Sequence, residues 1–261
     1  MGTHIKTEKA GHVLIISFNR PDQNNAFNTA MLRELGDAYE QLEADREVRV
    51  GVVCAEGKHF TLGLELGEVA EGIQKSQGNL LSKPDGIDPW GVSGREKTKP
   101  VIVAAHGFCL TLGIELMLAS EIRIATASTK FGQMEVQRGV FPFGGATMRF
   151  PAQCGWGNAM KYMLTGDMFT AAEALRIGLI QEIVEQSKLK ERALELAHKI
   201  AEQAPLAVAA TLASSVRAQK HGFTAAAERL FPDLQVILNT ADAAEGMKSV
   251  AEKRKAKFSG S

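Results

Sequence analysis

The chain has 261 residues, 45% hydrophobic and 23% charged, enough apolar material for a large buried core. Thirty Lys and Arg balance thirty Asp and Glu, so no overall field draws the chain to nucleic acid or to an anionic membrane, and an anionic ligand must be held by local groups. The start, MGTHIKTEKAGHVLII, has neither the apolar stretch nor the Arg-rich amphipathic character of a leader, and no run approaches the ~20 apolar residues of a membrane span; a cytoplasmic protein is expected.

Residues 12–19 (HVLIISFN) are apolar and β-branched and predict a strand, and NRPDQNNAFN follows as a turn-rich connection. From Asn28, placed as an N-cap, a helical stripe of Met31, Leu32, Leu35, Ala38, Tyr39 and Leu42 begins. Residues 48–55 (VRVGVVCA) predict a strand buried on both faces. Residues 67–99 are polar and rich in Pro, Gly and Asp, which predicts a long mobile insertion; Trp90 within it either lines a pocket or anchors the loop. A strand at 100–108, a helix from about 113 to 120 and a strand at 121–127 continue a βαβ-like alternation. After about residue 150 the strand signal fades into helical segments, among them AAEALRIGLIQEI, LAVAATLASSVRAQ and FTAAAERLFPDLQVILNT. The expected fold class is therefore α/β with a C-terminal helical region.

Three segments carry candidate chemistry. FTLGLEL (60–66) and HGFCLTLGIEL (106–116) each place glycine in a turn between a strand and a helical pattern. Such turns present free backbone N–H groups at a positive helix end, and two of them converging would form an oxyanion hole; close packing is the alternative use of those glycines. The third segment, FGQMEVQRGVFPFGGAT (131–147), carries Glu135 in an apolar setting, as GIELMLA carries Glu115. Buried carboxyls in such settings must be paired, hydrogen-bonded or protonated, and two sharing one site push their pKa values apart into an acid and a base. Taken singly, either glutamate also fits a structural salt bridge. Cys54, Cys109 and Cys154 lack CxxC or CxxH partners and read as buried reduced thiols. The six histidines show no metal-ligand spacing, and no GxGxxG or Walker lysine motif supports a nicotinamide or P-loop site. Lys253, Arg254, Lys255 and Lys257 form a basic cluster that suits a solvated helix end.

The ordered set NRPDQNNAFN, FTLGLEL, KPVIVAAHGFCLTLGIELMLASEIRIA, FGQMEVQRGVFPFGGATMRFP, LTGDMFTAAEALRIGLIQEIV and EGMKSVAEKRKAKF resembles the enoyl-CoA hydratase/isomerase (crotonase) superfamily, the hydratases most closely. The match spans nearly the whole chain except 67–99. It implies a spiral of ββα units over 1–200, a helical trimerisation region over 201–261, and homotrimers or dimers of trimers. The implied substrate is an acyl-CoA thioester; coenzyme A belongs to the substrate, with no other cofactor, no metal, and neither nucleic acid nor membrane as partner. By position, the resemblance assigns Glu115 and Glu135 as catalytic glutamates and the N–H groups of Leu64 and Leu112 as the oxyanion hole. Gly63, Gly113, Gly144 and Phe143 would surround the acyl group, Leu234 would sit by the adenine, and Lys253 would lie near a CoA phosphate across a subunit boundary.

The implied reaction is addition of water across C2–C3 of a 2-enoyl-CoA, with Glu135 giving the proton at C2 and Glu115 orienting the water. Enoyl-CoA isomerisation, C–C hydrolysis and non-enzymatic acyl-CoA binding remain alternatives on the same scaffold. Two departures stand out. Thr111 and Leu112 replace part of a usual glycine run, which is expected to put bulk beside the thioester. Phe143 replaces a small residue near the attacking water and occupies the place where dienoyl-CoA isomerases carry an acid.

Overall fold

A computed structural model describes residues 3–69, 81, 83 and 85–261. Strands β1 (Ile5–Ala10), β2 (Val13–Phe18), β3 (Val50–Ala55), β4 (Val101–Ala105), β6 (Ile122–Thr126) and β9 (Glu182–Val184) form one sheet in the order β1-β2-β3-β4-β6-β9. The β1–β2 pair is an antiparallel hairpin and every later pairing is parallel. A second sheet, β5-β7-β8, joins Phe108–Leu110, Lys130–Gly132 and Met168–Thr170.

The unbroken apolar runs of β2, β3 and β4 follow from burial on both faces. Leu14, Ile16, Val53 and Val103 face the same core as Leu35, Tyr39 and Leu42 of α1 (Thr29–Ala44). Ile15, Val52, Ile102 and Ala104 face the opposite way, against Leu189, Ala193 and Ala197 of α6 (Leu189–Ala201). Each large aliphatic side chain so buried stabilises by ~1.5–3 kcal/mol. Asn28 caps α1 as the sequence predicts, its Oδ1 accepting the Met31 N–H at 2.9 Å.

After β5 comes α2 (Leu112–Leu118), packed on β5 and on α3 (Ala146–Cys154), with α4 (Trp156–Thr165) and α5 (Ala171–Arg176) following. The C-terminal region is α7 (Pro205–Leu238) and α8 (Ala241–Ala251). Two predicted helices are one 34-residue helix broken in φ/ψ only at Gly222. The strand signal also does not end at 150, because β8 and β9 come later. Each has only three residues, too few to show a period of two, and β9 occupies the end of a segment expected to be helical.

Part of the expected mobile insertion, residues 70–80, 82 and 84, lies outside the described residues. The stretch 85–99 is tightly bonded: the Asp88 carboxylate accepts the N–H groups of Trp90, Val92 and Ser93 at 2.8, 2.8 and 2.9 Å. Cys54, Cys109 and Cys154 are free and buried. Among the described residues no helix is long and apolar enough to cross a membrane.

Candidate active site

Three parallel segments run side by side and lead into one place. Thr61 bridges to Cys109, and Cys109 pairs with Phe131 in the parallel β5–β7 ladder. Because all three run the same way, the residues that follow them leave from the same end: Gly63 and Leu64, then Thr111, Leu112 and Glu115, then Gln133 and Glu135. The Thr111 N–H donates to the Gly132 carbonyl at 2.8 Å and extends that ladder into the turn.

The two glycine turns interlock. A Cβ on Gly63, whose φ is +88°, would lie 1.9 Å from Thr111 Oγ1, and one on Gly113 would lie 2.5 Å from Thr61 Cγ2. Each threonine fills the space that the other turn's glycine leaves, so close packing is one use of both glycines. It also leaves backbone donors free. Among the described residues, neither the Leu64 nor the Leu112 N–H donates to an acceptor.

Glu115, 1% exposed, sits in the first turn of α2, whose residues are all buried. Its Oε1 accepts the Ala146 N–H at the start of α3 at 2.9 Å, and its Oε2 has no partner. Glu135, 8% exposed, opens the 3-10 turn Glu135–Arg138; its Oε1 accepts from Gln133 Nε2 at 2.8 Å, and its Oε2 is also unpartnered. Burial pushes Glu115 up to about 8, opposed by the Ala146 N–H and reinforced by the nearby Glu135 charge. Burial likewise raises Glu135 to about 7, with its own backbone N–H and the Gln133 amide acting against it. Each carboxyl is thus fixed by one oxygen, while the other is buried without a partner. The pair holds a proton near neutral pH, and two buried oxygens without a partner are the groups a polar substrate atom or water would satisfy.

Gly144 gives Glu115 its room, since a Cβ there would fall 2.9 Å from Glu115 Oε2 and 2.8 Å from Leu112 Cδ2. That second contact sets the Leu112 side chain, 1% exposed and part of the core, against Gly144 and beside Glu115 Oε2. Phe143 is half-buried and packs against the same core. Trp90 is fully buried, and its Nε1–H donates to the Leu112 carbonyl at 2.9 Å.

Leu234 is exposed on α7 and Lys253 in the turn that follows α8, and no hydrogen bond or ion pair among the described residues joins either to the carboxylates. A cavity of about 1060 Å³ opens between the end of α2 and the first half of α7, and neither glutamate lines it. The sequence reading omits Gln133 and Ala146. Gln133 stands two residues before Glu135 in an otherwise apolar stretch, and a buried amide there was a usable signal; the Ala146 donor is a backbone group and leaves none.

The enoyl-CoA hydratase/isomerase family model matches residues 8–261. Enoyl-CoA hydratase EchA19 of Mycobacterium tuberculosis is 33% identical, the alignment covering 98% of this chain and 97% of that one. A short-chain-enoyl-CoA hydratase of Clostridium acetobutylicum is 34% identical over 95% and 94%. The crystal structure of a probable enoyl-CoA hydratase/isomerase from Mycobacterium abscessus superposes with a TM-score of 0.95 at 46% identity, covering 99% of each chain.

Proposed function

The chain belongs to the enoyl-CoA hydratase/isomerase family, and on that premise we propose that it adds water across the C2–C3 double bond of a 2-enoyl-CoA to give a 3-hydroxyacyl-CoA. The observation that carries the reading is the pair of buried carboxyls, each held by one oxygen and unpartnered at the other.

The thioester oxygen would rest on the free N–H groups of Leu64 and Leu112, which draw charge from the conjugated system and make C3 electrophilic. Water between Glu115 and Glu135 adds its oxygen to C3 and gives a proton to one carboxylate, while C2 takes a proton from the other carboxyl. One proton resides on the pair before and after turnover, so the step balances without a separate cofactor. With the two groups at about 8 and about 7, either can carry that proton, so which carboxyl faces C2 decides the roles. The resemblance puts Glu135 there.

The substrate would be bound by an oligomer built on trimers, with Leu234 and Lys253 meeting the coenzyme across a subunit boundary. In support, α7 buries only Ala226 along its length and leaves Phe223, Phe231 and Val236 exposed. Incubation with crotonyl-CoA and longer 2-enoyl-CoAs, followed by the absorbance of the conjugated thioester, tests the reaction. Loss of absorbance with formation of 3-hydroxyacyl-CoA is expected; no loss with any chain length overturns the reading.

A further inference from the structure

The turns that carry Leu64 and Leu112 are held by residues whose hydrogen bonds go to neither carboxylate. The backbone of Phe27 brackets Leu64: its N–H donates to the Gly63 carbonyl at 2.7 Å, and its carbonyl accepts the Glu65 N–H at 2.9 Å. The Phe27 ring meets Trp90 edge to face, with centroids 5.5 Å apart and planes at 80°. On its other side the Trp90 indole N–H holds the Leu112 carbonyl. Trp90 is itself fixed, by the Asp88 carboxylate on its backbone N–H and by Arg149 Nη2, which donates to the neighbouring Gly91 carbonyl at 2.9 Å.

We propose that Trp90 is a positioning residue for the reaction: through Phe27 on one side and the Leu112 carbonyl on the other, it sets the separation and aim of the two N–H groups that receive the thioester oxygen. The inference rests on Leu64 and Leu112 being those donors. Two physical points support it. Donors of this kind act only within a narrow distance of the developing oxyanion, so a small error in spacing is costly. The Leu112 turn also needs bracing, because Thr111 adopts φ +49°, a region that disfavours a β-branched residue and persists only where its surroundings fix it.

The test compares Trp90 with Trp90→Phe and with a protein carrying the benzothiophene analogue of tryptophan at position 90, which keeps the shape and lacks only the N–H. In a Glu115→Gln background, which suppresses turnover, 2,4-hexadienoyl-CoA is bound and the red shift of its absorbance read as the polarisation of the thioester. In the active background, kcat and KM for crotonyl-CoA are measured. Both variants are expected to remain folded, with melting temperatures lowered by about a few degrees, and to lose at least about half of the red shift and about tenfold in kcat, with KM within about twofold. An unchanged red shift and kcat in either folded variant overturns the proposal, as does a lowered melting temperature with the band unmoved. Absence of any red shift with Trp90 in place instead overturns the assignment of Leu64 and Leu112.

Discussion

Glu115 and Glu135 are placed so that chemistry and stability pull against each other. Replacing either with Gln keeps the size and one hydrogen-bonding oxygen but removes the transferable proton, so hydration should fall at least about 100-fold while binding of a CoA product changes little. Wild-type activity retained in both variants, measured under saturating enoyl-CoA, would move the proton chemistry elsewhere. The same raised pKa values have a thermodynamic cost. A carboxyl whose pKa is higher in the folded chain binds its proton more tightly there, so its contribution to stability is full below the ordinary glutamate range. That contribution is lost as pH rises through about 7 for Glu135 and about 8 for Glu115. Glu115→Gln should therefore melt several degrees above the wild type at pH 9, with the gap closing toward pH 4. A gap that stays constant with pH in thermal scans would mean that Glu115 is not held protonated by burial.

At the scale of elements, what the sequence makes legible is what repeats locally. The stripe from Met31 to Leu42 with its Asn28 cap appears as read, because period and cap lie within one stretch of chain. The apolar contexts of Glu115 and Glu135 point to their burial for the same reason. Contacts between distant stretches leave no such trace: Trp90 to Leu112, Ala146 to Glu115 and Thr111 to Gly63 become visible only when the turns meet. The contact of the Leu112 side chain with Gly144 is hidden for the same reason, since the space that accepts it is made by another segment. Of the two departures, Phe143 is the one that stays partly exposed. Phe143→Gly should raise crotonyl-CoA hydration severalfold, about 1 kcal/mol of barrier, and longer enoyl-CoAs less. An unchanged rate for crotonyl-CoA would place the ring away from the substrate path.

For the whole molecule, the C-terminal helices expose more apolar surface than a solvated cap requires. Phe223 is 84% exposed, Val250 79% and Phe231 74%. A monomer with this surface is a poor match to water, and helices that bury so little against their own chain gain by burying against another copy. Light scattering at micromolar concentration should return a multiple of the 28.1 kDa chain mass, three or six chains being expected; a monomeric mass would contradict this.

The side-by-side arrangement of the Thr61, Cys109 and Phe131 segments also fixes when the site is assembled. These segments are close in space and far apart in sequence, and ordering the chain between them costs entropy before their contacts return any free energy. The Glu115–Ala146 contact joins α3 to α2 across 31 residues of chain, and on that ground it is expected to form on the native side of the folding barrier. The carboxyl is then stripped of water only after the slow step. Stabilisation gained by Glu115→Gln at high pH should consequently appear almost entirely as slower unfolding in denaturant jumps, with the refolding rate unmoved.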